Sequence, residues 1–482
     1  MPSDHRDWNS LAWTYLQSGQ SELALEAARR AHEGNRSNLD YLNTLGVAYG
    51  ENGELERAES SFRKALKRRP VFLDALINLA KTLEKQERLA ESIPLYERAL
   101  ALDETSPKLA TNLARLYRAR GDALAAGQLL VRLAKHIDGQ DLAMALAECD
   151  YELESAAAAI ERLSRAIDEH PDWVIARNAL AHALLANGHW RAGWQQYLAR
   201  RALFDPTSAT PAGLPAREDG ERILLRGEQG LGDVLFFLRF APLLRARGAR
   251  LTLACEKKLH PIIATGVLDA VTADEGPGCD RQMWLGDLPA LLGCDQTPAA
   301  WPVTVADAAR HAARQRLAAL GPGPYLAVTW RAGTDTVRGR EFGLERTSLS
   351  KAIAPADLGA ALRGWPGSVI ALQRAARPED GAQFAAGLGA ACHDLSSLGD
   401  DLPALAALLA ELDEYVTVSN TNVHLLAGLG RTARVLVPYP AEWRWMRCDG
   451  ASPWFPNFPV YRQGQSRDWS NALGALRRDL RL

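Results

Sequence analysis

Ile223-Leu-Leu-Arg-Gly-Glu-Gln-Gly-Leu-Gly-Asp-Val-Leu-Phe-Phe237 joins two apolar runs through a glycine-rich, acidic loop. The apolar run ending at Arg226 reads as a buried strand, and Val234 onward reads as a helix. The loop between them carries Gly227, Glu228, Gln229, Gly230, Gly232 and Asp233. Glycines at a strand-to-helix turn permit positive φ and close approach by a ligand. The helix start offers unpaired N–H groups to an anion. Asp233 can cap that helix or point into a cleft at the strand's carboxyl end. Taken alone, a tight turn with an aspartate cap explains the stretch equally well, so the rest of the chain must decide.

Composition narrows the classes. At 482 residues the chain has room for two or three domains, each with its own core. With 56 basic and 58 acidic residues, it has no charge excess to draw nucleic acid or an anionic membrane. The six cysteines (Cys149, Cys255, Cys279, Cys294, Cys392, Cys448) show neither CxxC pairing nor metal-ligand spacing, which suits a reducing compartment. The first residues lack the apolar stretch of a signal peptide, and no run approaches the roughly eighteen apolar residues of a membrane span. A soluble cytoplasmic protein is expected.

Outward toward the N-terminus, the sequence repeats with a period of 34 residues. Leu45, Gly46, Tyr49, Gly53, Ala58, Phe62, Ala65 and Pro70 form the clearest unit. Leu11, Ala12, Tyr15, Gly19, Ala24, Ala28 and Ala31 precede it at the same spacing, with Trp8 ahead of them. Leu79, Ala80, Leu83, Ser92, Tyr96 and Ala99 follow, then Leu113, Ala114, Tyr117, Gly121, Ala126, Leu130 and Leu133. Two looser units, one residue out of phase, start at Leu146-Ala147 and Leu180-Ala181. This is the length and pattern of a tetratricopeptide repeat. Small residues at one helix crossing admit large ones from its neighbour, and each pair leaves an apolar face for the next to cover. About six repeats are expected over 5–205, presenting a groove to a protein partner, or else serving as a spacer or oligomerisation arm.

Residues 206–220 read as a Pro-rich linker. Beyond it, short apolar strands alternate with helices, the texture of parallel α/β layers. One α/β unit is expected over 221–310 and another over 323–465, with a C-terminal helix in 466–482. Their strand ends would enclose a cleft. In the second unit, strand Tyr415–Val418 runs into Ser419-Asn420-Thr421-Asn422-Val423-His424, small polar residues suited to a phosphate cradle at a helix start. His424 reads equally well as a structural histidine. Trp330, Arg331 and Gly333 follow another strand end, and Arg338, Arg340 and Arg346 lie in the polar loop beyond. Arginines there can grip a diphosphate bidentately, Arg346 foremost. Gln373 ends a further strand and could reach a ribose or base. Tyr439, Trp443, Trp445, Trp454, Phe455 and Tyr461 could stack on sugar or base, or wedge the contact between the two units.

Together these segments resemble the heptosyltransferase-like, GT-B-type glycosyltransferases, in the form fused to tetratricopeptide repeats. The resemblance runs from about 186 to 465, through Gly188–Arg200, Gly227–Asp233, Trp330–Gly333, Arg346-Thr-Ser, Gln373, Ser419–Gly430, Pro438–Trp445 and Ser452-Pro-Trp-Phe-Pro456. It implies an α-solenoid followed by two Rossmann-like domains, with a nucleotide-sugar donor in the second and acceptor contacts in the first. Members with attached repeats resemble protein glycosyltransferases, including the flagellin-modifying type. The resemblance makes Asp233 the general base and places Glu228, Gln229, Gly230 and Gly232 on the acceptor side. It assigns Trp330, Arg331, Gly333, Arg346, Gln373, Ser419, Asn420, Thr421, Asn422 and His424 to the donor. It implies no cofactor beyond the nucleotide-sugar co-substrate and no metal. The chain departs from the pattern at Ser419, where many relatives carry aspartate, which removes a negative charge beside the donor. Two rival readings remain: a glycan or lipid-linked saccharide as acceptor, and a non-catalytic adaptor with a degenerate α/β module.

Overall fold

The computed structural model describes residues 4–204, 214, 220–228, 230–264, 266–273, 278–332, 351–447 and 450–482. The chain divides into two compact units, Met1–Leu153 and Glu154–Leu482.

The first unit is helical. Its elements are α1 (His5–Gln17), α2 (Ser21–Gly34), α3 (Leu39–Glu51), α4 (Leu55–Arg68), α5 (Leu73–Lys85), α6 (Leu89–Leu102), α7 (Pro107–Ala119), α8 (Ala123–Arg132) and α9 (Gly139–Glu152). Each helix packs on the next. The small-to-large logic of the repeat is visible where α3 crosses α4: a Cβ on Gly46 would stand 2.5 Å from Phe62 Cε1, so only glycine admits that ring. Alanines 24, 28, 31, 48, 58, 65 and 80 are buried at equivalent crossings. The turn between paired helices is left-handed in every repeat. Glycine makes it at Gly53 (φ 82°) and Gly121 (φ 88°), but Glu87 (φ 62°) makes it in the third repeat and Glu154 (φ 61°) in the fifth. Those two repeats are the ones whose sequence lacks the turn glycine. The first helices of successive repeats are tied by ion pairs: Lys85 to Glu51 at 3.1 Å, Arg115 to Glu84, and Arg118 to the buried Glu152 at 2.7 Å.

The second unit opens with α10 (Ala156–Glu169), α11 (Val174–Ala186), α12 (Trp190–Tyr197) and α13 (Arg201–Phe204). A first lobe follows: β1 (Arg222–Arg226), α14 (Leu231–Phe237), α15 (Ala241–Arg245), β2 (Arg250–Ala254), β3 (Ala270–Thr272), β4 (Arg281–Trp284) and α16 (Leu288–Leu291). After α17 (Asp307–Leu320) comes a second lobe. It comprises β5 (Leu326–Thr329), α18 (Pro355–Ala361), β6 (Val369–Ala371), α19 (Asp380–Leu388), β7 (His393–Asp394), α20 (Leu402–Glu411) and β8 (Glu414–Val418). The chain ends with α21 (Thr421–Gly428), β9 (Arg434–Val437), β10 (Val460–Arg462) and α22 (Ser470–Asp479).

Both sheets are parallel, ordered β3-β2-β1-β4 and β10-β9-β8-β5-β6-β7. In each, the chain builds outward from one strand and then returns to that strand's other side. The order therefore reverses at β1/β4, where Ile223 is in register with Arg281, and at β5/β8, where Leu326 is in register with Glu414. Such reversals open a crevice at the carboxyl ends of the strands, where ligands of doubly wound sheets bind. Strands β5, β6 and β9 are buried almost throughout, as continuous apolar runs in a parallel sheet require.

Three boundaries differ from the sequence reading. The repeats of 5–205 do not form one unit: α10–α12 pack with the α/β lobes. Trp194 meets Phe237 at 6.1 Å, Trp443 at 5.3 Å and Trp454 at 5.8 Å between ring centres, and Gln195 Nε2 donates to the Ala290 carbonyl at 3.1 Å. The last repeat has no successor to cover its apolar face, and the α/β lobes take that place. Helix α17 starts inside the range assigned to the first lobe, yet packs on α20 of the second, where Arg310 Nε lies 2.8 Å from Glu411 Oε1. Helix α22 buries Leu473 and Leu476 in the second lobe's core. Strands β7 and β10 were not legible, being two and three residues long with polar members. Of the linker 206–220, only 214 and 220 are described.

Candidate functional site

The carboxyl end of β1 leads into the Gly227–Asp233 loop and helix α14. Gly230 precedes α14, and Asp233, in its first turn, reaches back so that Oδ2 accepts from the Gly230 N–H at 3.4 Å. Asp233 Oδ1 pairs with the guanidinium of Arg444, which comes from the second lobe. Glu228 behaves differently. Its Oε1 accepts from the Gly286 N–H at 3.0 Å and pairs with Arg200, whose other nitrogen lies 2.9 Å from Asp287 Oδ1. Arg200 and Asp287 are each 1% exposed. Burial pushes both carboxyls up and Arg200 offsets it only in part. Glu228, expected to face the acceptor, is therefore an anchor that holds the end of the repeats to the β1/β4 crevice.

On the second lobe, β8 ends at Val418 and α21 starts at Thr421. Asn420 caps α21: its Oδ1 accepts from the Asn422 N–H at 3.0 Å, and its Nδ2 donates to Thr417 Oγ1 at 2.8 Å. Asn422 Nδ2 donates to the Tyr415 hydroxyl, which lies 2.6 Å from Thr329 Oγ1. Both asparagines, expected to cradle phosphate, turn into the lobe instead, because the strand ends need those hydrogen bonds. Gln373 does the same. It is 1% exposed, its Oε1 accepts from the N–H groups of Trp330 and Arg331, and its Nε2 donates to the carbonyls of Arg331 and Arg374. It clasps two strand ends and has no atom left for a ribose. Trp330 is buried, stacked on Phe384 at 5.5 Å. Arg331 donates to the Ala375 carbonyl.

What remains at the cleft is Ser419, Thr421 and His424. Ser419 Oγ donates to Glu442 Oε1 at 2.7 Å, and Lys351 pairs with Glu442 Oε2. Burial works to raise the Glu442 carboxyl, but Lys351, Arg444 and the Ser419 hydroxyl hold it down to about 2. The negative charge expected to be missing beside Ser419 is thus present, carried by Glu442. Thr421 and His424 face Gly232: a Cβ on that glycine would lie 3.1 Å from His424 Cδ2 and 3.4 Å from Thr421 Oγ1. Burial, together with Arg444 and Arg239, keeps His424 well below the ordinary histidine range, and its Nδ1 is buried with no partner among the described residues. Arg239, 2% exposed, lies 4.2 Å from the Phe236 ring and donates to the Phe236 and Trp454 carbonyls. Burial pulls it down to about 9.

The aromatic residues form the wedge between the lobes. Trp443 and Trp445 are buried. Trp443 meets Trp194 at 5.3 Å and Phe236 at 5.2 Å, and Trp445 stacks on Phe455 at 4.8 Å. Neither ring is open to a ligand: Trp443 completes the apolar face of the final repeat, and Trp445 is buried against Phe455. Tyr439 is half-buried, and its N–H donates to Gln463 Oε1. Gln229, Gly333, Arg338, Arg340 and Arg346 lie outside the described residues. Sequence reasoning missed Arg200, Arg239, Lys351, Glu442 and Arg444. Only Arg444 carried a local signal, a lone charge between two tryptophans in Trp443-Arg444-Trp445.

Residues 9–142 carry tetratricopeptide repeats, matched by the family model described as Tetratricopeptide repeat at 9–70, 43–107 and 77–142. The described residues beyond them add parallel sheets, and no described helix is long and apolar enough to cross a membrane. The chain is similar to Protein FlbA of Caulobacter vibrioides, at 26% identity over 521 residues, covering 98% of this chain and 84% of that one. Among solved structures it is similar to a thermophilic tetratricopeptide protein of Thermus thermophilus (18% identity, TM-score 0.30, 38% of this chain and 99% of that one). It is also similar to YrrB, a tetratricopeptide protein with an unusual peptide-binding site (22% identity, TM-score 0.32, 36% and 91%).

Proposed function

We propose that the chain is a cytoplasmic, metal-independent glycosyltransferase of GT-B type, with two Rossmann-like lobes, that glycosylates a protein held by its repeats. The observation that carries this reading is the meeting of two strand-end loops. The Gly230–Asp233 loop, beyond the order-reversing strand of one sheet, touches the Ser419–His424 helix start beyond the other. Opposed crevices of this kind suit a donor on one side and an acceptor on the other. In the proposed reaction the acceptor O–H gives its proton to Asp233 and its oxygen forms the new bond to the sugar's anomeric carbon. The bond from that carbon to the diphosphate breaks, and the departing charge falls to the N–H groups at the start of α21 with Lys351 nearby. A flagellin-type acceptor is the one the sequence resemblance suggests.

A thermal-shift screen of the full chain against nucleotide sugars, followed by transfer to a candidate protein acceptor, tests the reading. It predicts a rise in Tm with one donor class and labelled acceptor. No shift with any donor and no transfer would contradict it.

A second reading, a non-catalytic adaptor, draws on the inward turn of Gln373, Asn420 and Asn422. It predicts acceptor binding without any donor-dependent stabilisation, so the same screen separates the two.

A further inference from the structure

Arg444 carries charge from one half of the cleft to the other. It follows β9 in the turn Trp443–Trp445, yet its guanidinium pairs with Asp233 of the first lobe. It lies 4.7 Å from the Phe236 ring and 4.5 Å from the Trp443 ring, so one aromatic face from each lobe grips it. Phe236 stands three residues after Asp233 on α14, on the same helical face, so the ring and the carboxylate fix the guanidinium from adjoining positions. The Arg444 carbonyl accepts from Ser452 Oγ, which anchors the backbone at that point. Two residues earlier, Glu442 accepts from Ser419 at the mouth of α21. Arg444 thus pairs with the carboxylate of the acceptor loop, and its charge also acts on the Glu442 carboxylate beside the donor-side helix start.

We propose that Arg444 is the positioning residue of the cleft: it holds one oxygen of Asp233, aims the carboxylate at the start of α21, and ties it to the Ser419–Glu442 pair. This rests on the glycosyltransferase reading and deepens it. A guanidinium fixes a carboxylate in direction, and two aromatic rings set at 83° to each other confine the guanidinium; an ammonium at the same place supplies charge without the planar fork. The two rings and the ion pair hold Arg444 against Asp233 in the ligand-free chain, which on this proposal orients the carboxylate before the acceptor arrives. A misplacement of roughly 1 Å in such a group costs on the order of 10²-fold in rate.

The test uses the full chain, with Arg444→Gln and Arg444→Lys beside wild type. Transfer kinetics, calorimetric donor affinity and thermal unfolding are read on each. The Gln variant is expected to lose roughly 10²-fold in kcat with donor affinity within about threefold, and to regain part of that loss in added guanidinium. The Lys variant should fall between, without rescue by guanidinium, and it carries the test should the Gln variant fail to fold. Wild-type kcat in either variant overturns the proposal, as does a donor affinity that falls in step with kcat. A wild-type chain that neither binds donor nor transfers sugar overturns the glycosyltransferase reading, and the proposal with it. An active wild type with an equally active Lys variant overturns the proposal alone.

Discussion

Gly232 and His424 are in contact across the two lobes of the second unit, and the glycine leaves no spare room: a Cβ there would sit 3.1 Å from the imidazole. Replacement by Ala asks the imidazole to give by a few tenths of an ångström, whereas Leu cannot fit without parting α14 from α21. Gly232→Leu is expected to destabilise the chain by about 1–3 kcal/mol, the usual penalty of overpacking. Urea unfolding measures the loss, and a Leu variant as stable as wild type would show that the helix starts are not in contact.

Arg200, Glu228 and Asp287 form a buried ionic cluster, and removing Arg200 leaves Glu228 without its cation and Asp287 with Arg201 alone, 3.4 Å away. Arg200→Ala is expected to cost about 3–5 kcal/mol. Glu228→Gln should lose part of that stability while keeping wild-type turnover in whatever fraction folds. Urea titration with a turnover assay checks both. A Gln variant of normal stability and impaired acceptor affinity would return Glu228 to the acceptor side.

The limits of sequence reading follow from where the information lies. The repeats were legible because small residues such as Gly46 must recur where a ring such as Phe62 enters, and the 34-residue spacing survives even where Glu87 replaces the turn glycine. Strand β1, the loop to Asp233, and β8 leading into α21 were legible because apolar runs ending in small polar residues have few other uses. The internal hydrogen bonds of Gln373, Asn420 and Asn422 were not legible because the same donors and acceptors serve a ligand or a neighbouring strand end equally well. Which of the two they meet depends on partners up to 43 residues away, as with Gln373 and Trp330. Glu442 and Lys351 were invisible for the same reason: their pairing spans 91 residues and no periodicity records it.

The Glu442 carboxyl is held down to about 2 in the folded chain, against an ordinary value of 4.5. A carboxyl depressed by folding adds stability that is fully present above its unfolded value and is lost as pH falls from about 4.5 toward 2. The contribution is on the order of 3 kcal/mol at neutral pH. Glu442→Gln should therefore flatten the acid limb of the stability curve across that window. Chemical denaturation from pH 7 to 2.5 reads it out, and an unchanged acid limb would mean that Lys351 does not hold the carboxylate.

In the proposed reaction Asp233 takes the proton of an acceptor hydroxyl while the donor sits on the α21 side. Single-turnover transfer by Asp233→Asn, with donor affinity measured on the same preparation, tests it most directly. The expected result is a rate reduced by roughly 10²–10⁴-fold with donor affinity within about threefold of wild type. Transfer at the wild-type rate by the Asn variant would contradict it.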